Sequence, residues 1–195
     1  MARVFGKRCV CDGITFASES ERDYYKFLIR MKAQGKIKDF EIQPNYPLQE
    51  EFTTEFEERF DDIKIQSMSI TPDYLVTLND GNKILLDTKG ANLISEASQM
   101  RRKLFLYQNK NIPLFFIGII PKYLGGDSIW VEVTQGKDFL AKLKNKYNTI
   151  YPEAKKSRSK PVQWKVKDWD EYFEYESLDG LFYIWKKTKS NRKKK

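Results

Sequence analysis

The stretch from Ile70 to Gly90 constrains the fold of this chain most, because it has the pattern of two strands joined by a tight turn. Apolar residues alternate with other residues on both sides of Asp80-Gly81, a dipeptide that is typical of hairpin turns. The length of the loop decides which side chains face each other, since a slip of one residue moves every side chain to the opposite face. We expect a three-residue loop that ends at Gly81, with Gly81 at positive φ.

This loop length places two acids side by side. It aligns the large apolar residues on a single core face, in the pairs Tyr74 with Leu86 and Val76 with Ile84. On the other face it brings Asp73 opposite Asp87, whereas a two-residue loop would bring Asp73 opposite Thr88. Directly opposed Cβ atoms lie about 5 Å apart, so two carboxylates in these positions repel each other.

A divalent cation would relieve this repulsion. Mg²⁺ is held in proteins by one or two carboxylates together with waters and substrate phosphate oxygens. Lys89 follows Asp87 by two residues, and its ammonium could polarise an attacking water or a scissile phosphate. The alternative is a surface Asp-Lys ion pair beside an acid near a turn. The Pro72-Asp73 step on the partner strand favours the functional interpretation.

The histidine and cysteine content of the chain excludes several kinds of hydrolytic site. The chain has no histidine and two cysteines, Cys9 and Cys11. This excludes Ser-His triads, histidine-based nucleases and His-ligated zinc hydrolysis, and two thiols alone cannot complete a structural zinc site. Any hydrolysis must therefore use carboxylates, lysine, tyrosine and metal. We expect reduced cysteines and a cytoplasmic protein without a membrane span, because no apolar run reaches the roughly 18 residues that a span needs.

The net charge of +8 is unevenly distributed. Residues 186–195 hold seven basic residues and no acid, so the first 185 residues carry only +1. Residues 137–168 hold ten bases and three acids, whereas residues 41–62 hold eight acids and one base. Basic segments beside a carboxylate site suit a polyanion better than a small substrate. For the tail alone, a solvated segment is the alternative, and we expect it to be disordered.

A helix is predicted to begin at Ser18, which forms a capping box with Glu21, and to end at Gly35. Its buried stripe follows helical spacing and consists of Tyr24, Phe27, Leu28 and Met31. Glu21 therefore has a complete structural explanation as a capping residue. The alternative is that its carboxylate points toward the Asp73/Asp87 face.

Later elements are predicted in the same way. A second helix spans Ser95 to Asn109, with Ala97, Met100, Leu104 and Tyr107 on its buried face. The bases in its middle form either a solvated face or a face that contacts phosphate. The apolar run 114–120 predicts a strand buried on both faces, residues 137–147 predict a basic helix, and Leu178-Asp-Gly predicts the turn of a terminal β-hairpin.

Four short motifs together resemble the PD-(D/E)XK nuclease superfamily. They are Phe16-Ala-Ser-Glu-Ser-Glu21, Gly35-Lys-Ile-Lys-Asp-Phe-Glu-Ile-Gln43-Pro, Thr71-Pro-Asp73-Tyr and Leu86-Asp87-Thr-Lys89-Gly. Within it, the chain is similar to a phage-encoded, Holliday junction resolvase-like endonuclease family. The resemblance covers about residues 13–120. It implies an α/β, restriction-endonuclease-like core, in which helices flank a mixed central sheet, and a host cytoplasm as its location.

The resemblance also implies cleavage of DNA phosphodiesters with one or two Mg²⁺ or Mn²⁺ ions. Carried over residue by residue, Glu21, Asp73 and Asp87 are ligands, with the carbonyl of Thr88 as an extra one. Lys89 would orient or deprotonate the attacking water. The second acid is Asp where the family frequently has Glu. Resolution of a junction would need two sites and hence a homodimer.

We expect a nuclease core in residues 1–150, a basic connector with an aromatic hairpin appendage in 151–185, and a basic tail in 186–195. The basic side chains expected to contact DNA are Arg101, Arg102, Lys103, Lys142, Lys144, Lys155, Lys156, Arg158, Lys193, Lys194 and Lys195. Other functions stay open: a nicking nuclease, a restriction-like double-strand nuclease, a DNA-binding module of the same fold without catalysis, and a protein-interaction factor that uses the acidic segment.

Overall fold

The computed structural model describes residues 7–54, 62–90, 94–120, 129–134, 145 and 175–185. The elements in chain order are β1 (Cys9–Cys11), β2 (Ile14–Phe16), α1 (Glu19–Ala33), β3 (Asp39–Ile42), β4 (Tyr46–Gln49), β5 (Phe52–Thr53), β6 (Lys64–Ile65), β7 (Met68–Ile70), β8 (Tyr74–Thr77), β9 (Lys83–Thr88), α2 (Glu96–Gln108), β10 (Leu114–Ile119), β11 (Trp130–Glu132), β12 (Tyr175–Leu178) and β13 (Phe182–Trp185). The predicted α/β class with a mixed sheet is confirmed. Seven strands form this sheet in the order β12-β13-β11-β10-β9-β8-β3.

The chain divides into two compact units. The first comprises Met1–Lys89 and Leu93–Phe116, and the second comprises Gly90–Asn92 and Ile117–Lys195. In the first unit β8 pairs antiparallel with both β9 and β3, and the antiparallel pairs β1-β2, β4-β7 and β5-β6 stand outside the large sheet. In the second unit β13 pairs parallel with β11 and antiparallel with β12, which makes the large sheet mixed.

The predicted register of the β8-β9 hairpin is confirmed. Its antiparallel pairs include Tyr74 with Leu86 and Val76 with Ile84. The backbone N–H of Leu78 donates to the carbonyl of Asn82 at 2.8 Å, which encloses a three-residue loop. Gly81, the last residue of this loop, has φ +88°, a conformation that a side chain would strain.

The prediction of a single core face for this hairpin is wrong, because both faces are covered. Tyr74 packs toward α1, with its ring centroid 5.6 Å from that of Tyr24. On the opposite face, Leu75 and Leu85 are buried in a cluster with Leu48, Ile70, Phe105 and Leu114, which belong to β4, β7, α2 and β10. Alternation along one hairpin cannot reveal this second layer. The two acids therefore lie at the end of a face that is otherwise buried.

Helix α1 begins and ends as predicted. Ser18 is its N-cap and accepts a hydrogen bond from the backbone N–H of Glu21, while Gly35 follows its end with φ +66°. Tyr24, Leu28 and Met31 of the predicted stripe are buried, and Phe27 is half-buried beside Tyr24.

The predicted buried face of α2 is wrong. Met100 is 69% exposed and Tyr107 76% exposed, whereas Phe105 is fully buried. The reason lies in tertiary contacts: the Phe105 ring packs edge-on against Tyr46 at 5.1 Å, and Nε of Arg102 donates to the carbonyl of Leu114 at 2.7 Å. These contacts turn toward the core a side of the helix that its apolar spacing does not single out.

The terminal β-hairpin is confirmed, with Asp179 and Gly180 at positive φ in its turn. Its strand β13 pairs parallel with β11, and the predicted division into a core, an appendage and a tail stays a prediction. The strand predicted over 114–120 is also confirmed and mostly buried. The helix predicted over 137–147 lies outside the described residues except for Asn145, which is helical. Among the described residues, no helix has the length and apolarity needed to span a bilayer.

Candidate active site

The candidate site lies at the open end of the β8-β9 hairpin. Asp73 stands one residue before the Tyr74–Leu86 pair, so the confirmed register brings it opposite Asp87. The two carboxyl groups lie near enough for the charge of Asp87 to raise the pKa of Asp73. Asp87 is only 7% exposed, and Asp73 is half-buried. The fold therefore holds two acids against each other with little access to water.

Thr88 fixes one oxygen of this pair. Its backbone N–H and its hydroxyl both donate to Oδ2 of Asp73, each at 2.6 Å. The sequence pointed to the Thr88 carbonyl as a ligand and missed the hydroxyl. No sequence signal separates this side chain from the threonines that commonly fill strands.

Lys89 fixes an oxygen of the other acid. Its Nζ lies 2.7 Å from Oδ1 of Asp87, in an ion pair whose side chains are both largely buried. Burial opposes the charge of the ammonium, but the charges of Asp87, Asp73 and Glu21 outweigh it and leave the pKa of Lys89 raised. The lysine is therefore positively charged at neutral pH.

The pKa values of both acids are raised above their ordinary range. Burial and, after it, the charge of Asp87 raise the pKa of Asp73 to about 7, although the hydrogen bonds from Thr88 oppose the shift. Burial also raises the pKa of Asp87, against the opposing charge of Lys89. A carboxyl pair with these properties shares a proton when nothing else neutralises it. A cation could take the place of this proton.

Glu21 lies near the pair but caps its own helix. Its Oε2 accepts from the backbone N–H of Ala17 at 3.0 Å, and its Oε1 accepts from the hydroxyl of Ser18 at 3.1 Å. Burial and the charge of Asp73 raise its pKa, and Lys89 counteracts this. The hydroxyl of Tyr74 donates to the Glu21 carbonyl at 2.7 Å, which ties the start of α1 to the hairpin. The structure thus brings Asp73, Asp87 and Lys89 together and keeps the Glu21 carboxylate on the helix start.

The backbone beside Asp73 is also anchored. Gln43, at φ +49°, donates its N–H to the carbonyl of Asp73 at 2.8 Å. This bond continues the β3-β8 ladder past Ile42 and Tyr74. The side chain of Gln43 is exposed, so the part of this residue that holds the acid in place is its backbone.

The donor set suits a hard divalent cation. Thr88 occupies one oxygen of Asp73 and Lys89 one oxygen of Asp87, which leaves the second oxygen of each carboxylate. Two monodentate carboxylates are a usual protein contribution to Mg²⁺, with waters and phosphate oxygens completing the octahedron. Within the described ranges, no three His, Cys, Asp or Glu side chains form a group that could hold a metal. The residues that could hold a cation here are therefore the two acids, Asp73 and Asp87.

The predicted DNA-contacting residues fall into two sets. Arg101 and Lys103 are exposed on α2, whereas Arg102 is half-buried, with its guanidinium carbon 5.8 Å from the centroid of the Phe116 ring. Lys142, Lys144, Lys155, Lys156, Arg158, Lys193, Lys194 and Lys195 lie outside the described residues.

Comparison with known proteins assigns the chain to a family, but it does not indicate an activity. No curated protein matches the chain, and no solved structure matches it. The model of a protein family of unknown function, DUF1064, matches residues 1–125, and the chain belongs to that family.

Proposed function

We propose that this protein is a metal-dependent DNA endonuclease of the PD-(D/E)XK type, and that it hydrolyses phosphodiester bonds in branched or otherwise structured DNA, in the manner of a Holliday junction resolvase of phage recombination or replication. The observation that carries the proposal is the buried Asp73–Asp87 pair with Lys89 ion-paired to it. Opposed acids of raised pKa are unfavourable in a hairpin that binds nothing, whereas a bound cation would offset the repulsion between the two carboxylates.

Asp73 and Asp87 would hold Mg²⁺ or Mn²⁺ through the oxygens that Thr88 and Lys89 leave free. The ion supplies Lewis-acid polarisation of the phosphate and an activated water. Thr88 acts as a positioning residue, because its two hydrogen bonds of 2.6 Å fix the direction of the Asp73 carboxylate. Neighbours of this kind commonly change metal affinity when they are removed.

Lys89 would act on the reacting phosphate. Its ammonium is charged and mostly buried, so its field is weakly screened by solvent. At that place it neutralises negative charge that builds up on the phosphate oxygens and orients the attacking water. Glu21, which the resemblance implies as a ligand, joins the site only if its carboxylate turns away from Ala17 and Ser18.

A second candidate is a DNA-binding module of the same fold without catalysis. The hydrogen bonds that hold both Glu21 oxygens at the start of α1 favour it, since a third acid is thereby kept from the pair. In this case Asp73 and Asp87 would bind a cation that anchors DNA without cleaving it.

One experiment separates these functions. The full chain is incubated with four-way junction, nicked, single-stranded and linear duplex DNA, each with Mg²⁺ and with EDTA. The proposal expects Mg²⁺-dependent products, most abundant with the junction, and none with Asp73→Asn. Binding without cleavage of any substrate would favour the non-catalytic module, and preferred cleavage of linear duplex would favour a restriction-like enzyme.

A further inference from the structure

The outward face of α2 carries two large apolar side chains. Met100 is 69% exposed and Tyr107 is 76% exposed. Residues seven apart lie on nearly the same side of a helix, here separated by about 10 Å along its axis. Lys103 lies between them on that side. Met100 and Tyr107 therefore present apolar surface to solvent on one side of the helix, on either side of a basic residue.

The orientation of this face is fixed by the inner side of the helix. Phe105 is fully buried, Arg102 binds the carbonyl of Leu114, and Nε2 of Gln108 donates to the carbonyl of Leu48 at 2.7 Å. Rotation of the helix to bury Tyr107 would break these contacts. The exposure of Met100 and Tyr107 is therefore a property of the fold.

The charge around the two side chains points to the partner. Residues 100–110 hold four bases and no acid. Arg101, Lys103 and Lys110 are exposed, and the ion pairs formed among the described residues involve none of the three. A second copy of the chain that docked here symmetrically would oppose like charges. A polyanion with flat apolar groups fits better, and single-stranded nucleic acid has both features.

We propose that the outer face of α2 binds an unpaired base of the DNA substrate, which stacks on Tyr107 beside Met100 while Arg101, Lys103 and Lys110 contact the flanking phosphates. The inference rests on the proposed function, since the DNA is the substrate of the Asp73/Asp87 site. It names the substrate class as DNA with unpaired bases, such as a gap, a flap or an open branch point. In a continuous duplex both faces of each base are covered by neighbours, so Tyr107 has no base to stack on.

The test compares two DNAs and three variants of the full chain in Ca²⁺. The DNAs are a duplex with a central single-stranded gap and a continuous duplex of the same length. Tyr107→Ala is expected to weaken binding to the gapped DNA by about 5- to 160-fold and to leave duplex binding nearly unchanged. Tyr107→Phe keeps the ring and should bind like wild type. Phe52→Ala, at a ring that is 49% exposed on β5, is the matched control and should have no effect.

A salt titration separates stacking from charge. Tyr107→Ala should leave the slope of log K against log salt unchanged, because it removes no phosphate contact. Lys103→Ala should flatten the slope by about 0.7 for a single-stranded contact. A fluorescent 2-aminopurine in the gap should be quenched by wild type and by Tyr107→Phe, and not by Tyr107→Ala.

Three results would overturn the inference: equal weakening on both DNAs, no weakening on either, or a change from dimer to monomer caused by Tyr107→Ala. The proposed function fails separately. If wild type binds gapped DNA through Tyr107 and cleaves no DNA with Mg²⁺, the proposed nuclease activity is rejected and the proposed base-binding face is retained. If wild type cleaves and Tyr107→Ala binds and cleaves gapped DNA equally well, only the base-binding face falls.

Discussion

The two ends of the β8-β9 hairpin carry the same kinds of residue in opposite circumstances. At the turn, Asp80 is exposed and accepts hydrogen bonds from the backbone N–H and the side-chain amide of Asn82, at 2.9 and 2.6 Å. At the open end, Asp73 and Asp87 are held against each other with little water, and the pKa of both is raised. The exposed acid shapes the turn through its hydrogen bonds, whereas burial opposes the charge of the two acids at the open end and so favours a cation beside them.

The turn end offers a matched control for each kind of residue at the open end. Asp80 corresponds in type to the two acids, Lys83 to Lys89, and Thr77 to Thr88.

The largest effect is expected for the acids. Asp73→Asn or Asp87→Asn should reduce Mg²⁺-dependent DNA cleavage by about a thousandfold or more. Loss of one electrostatic contact typically costs about a hundred- to a thousandfold, and the loss of an acid here removes the bound cation as well. Single-turnover rates measure this. Asp80→Asn should cleave like wild type, and a comparable loss there would show that the two ends do not differ.

The lysines give the next effect. Lys89→Ala should lower the single-turnover rate by about a hundredfold or more, because its charge is needed mainly in the transition state. Its binding of DNA and of Mn²⁺ should change little. Lys83→Ala, at the exposed start of β9, should behave like wild type. A Lys89→Ala rate close to that of wild type would remove the role assigned to this lysine.

The threonines give a smaller effect on metal binding. Thr88→Val keeps the shape and the backbone N–H but loses the hydroxyl bond to Asp73, and its affinity for Mn²⁺ should fall by about 10- to 100-fold. Thr88→Ser should restore the affinity, and Thr77→Val should not change it. Calorimetric titration with Mn²⁺ measures all three. Equal affinities of Thr88→Val and wild type would leave the hydroxyl with a structural role alone.

The pH dependence of stability tests the open end of the hairpin without a metal. In EDTA, the Asp73–Asp87 pair of the folded protein holds a proton up to about pH 7, whereas Asp73 of the unfolded chain releases its proton near 3.8. The free energy of unfolding contributed by this group is therefore fully present below about pH 4 and is lost as the pH rises through about 7. The melting temperature of wild type minus that of Asp73→Asn should fall over this range. A constant difference would mean that the acid is not held protonated.

The hairpin could be predicted from sequence because local chemistry specifies it. Asp80-Gly81 fixes the loop, the alternating apolar residues fix the register, and together they oppose Asp73 to Asp87 before any tertiary contact is considered. The helix cap formed by Ser18 and Glu21 could also be predicted, because a capping box is a local sequence pattern.

Tertiary packing decided the features that the sequence could not predict. The second buried face of the hairpin exists because β4, β7 and α2 cover Leu75 and Leu85. The orientation of α2 follows from where Phe105 and Arg102 find partners, so its apolar spacing placed Met100 and Tyr107 on the wrong side. The contact between Thr88 and Asp73 depends on how far the two strand ends approach, and a one-dimensional pattern does not contain that distance.

The most direct test of the central claim, that the open end of the hairpin is a cation site, is the melting temperature of the full chain with and without Mn²⁺. A cation that binds only the folded state stabilises it by about 2.7 kcal/mol at a hundredfold excess over Kd. For a chain of this length that corresponds to a rise of roughly 5–10 °C. We predict this rise for wild type and for Asp80→Asn, and its loss in Asp73→Asn. Equal rises in wild type and Asp73→Asn would contradict the claim.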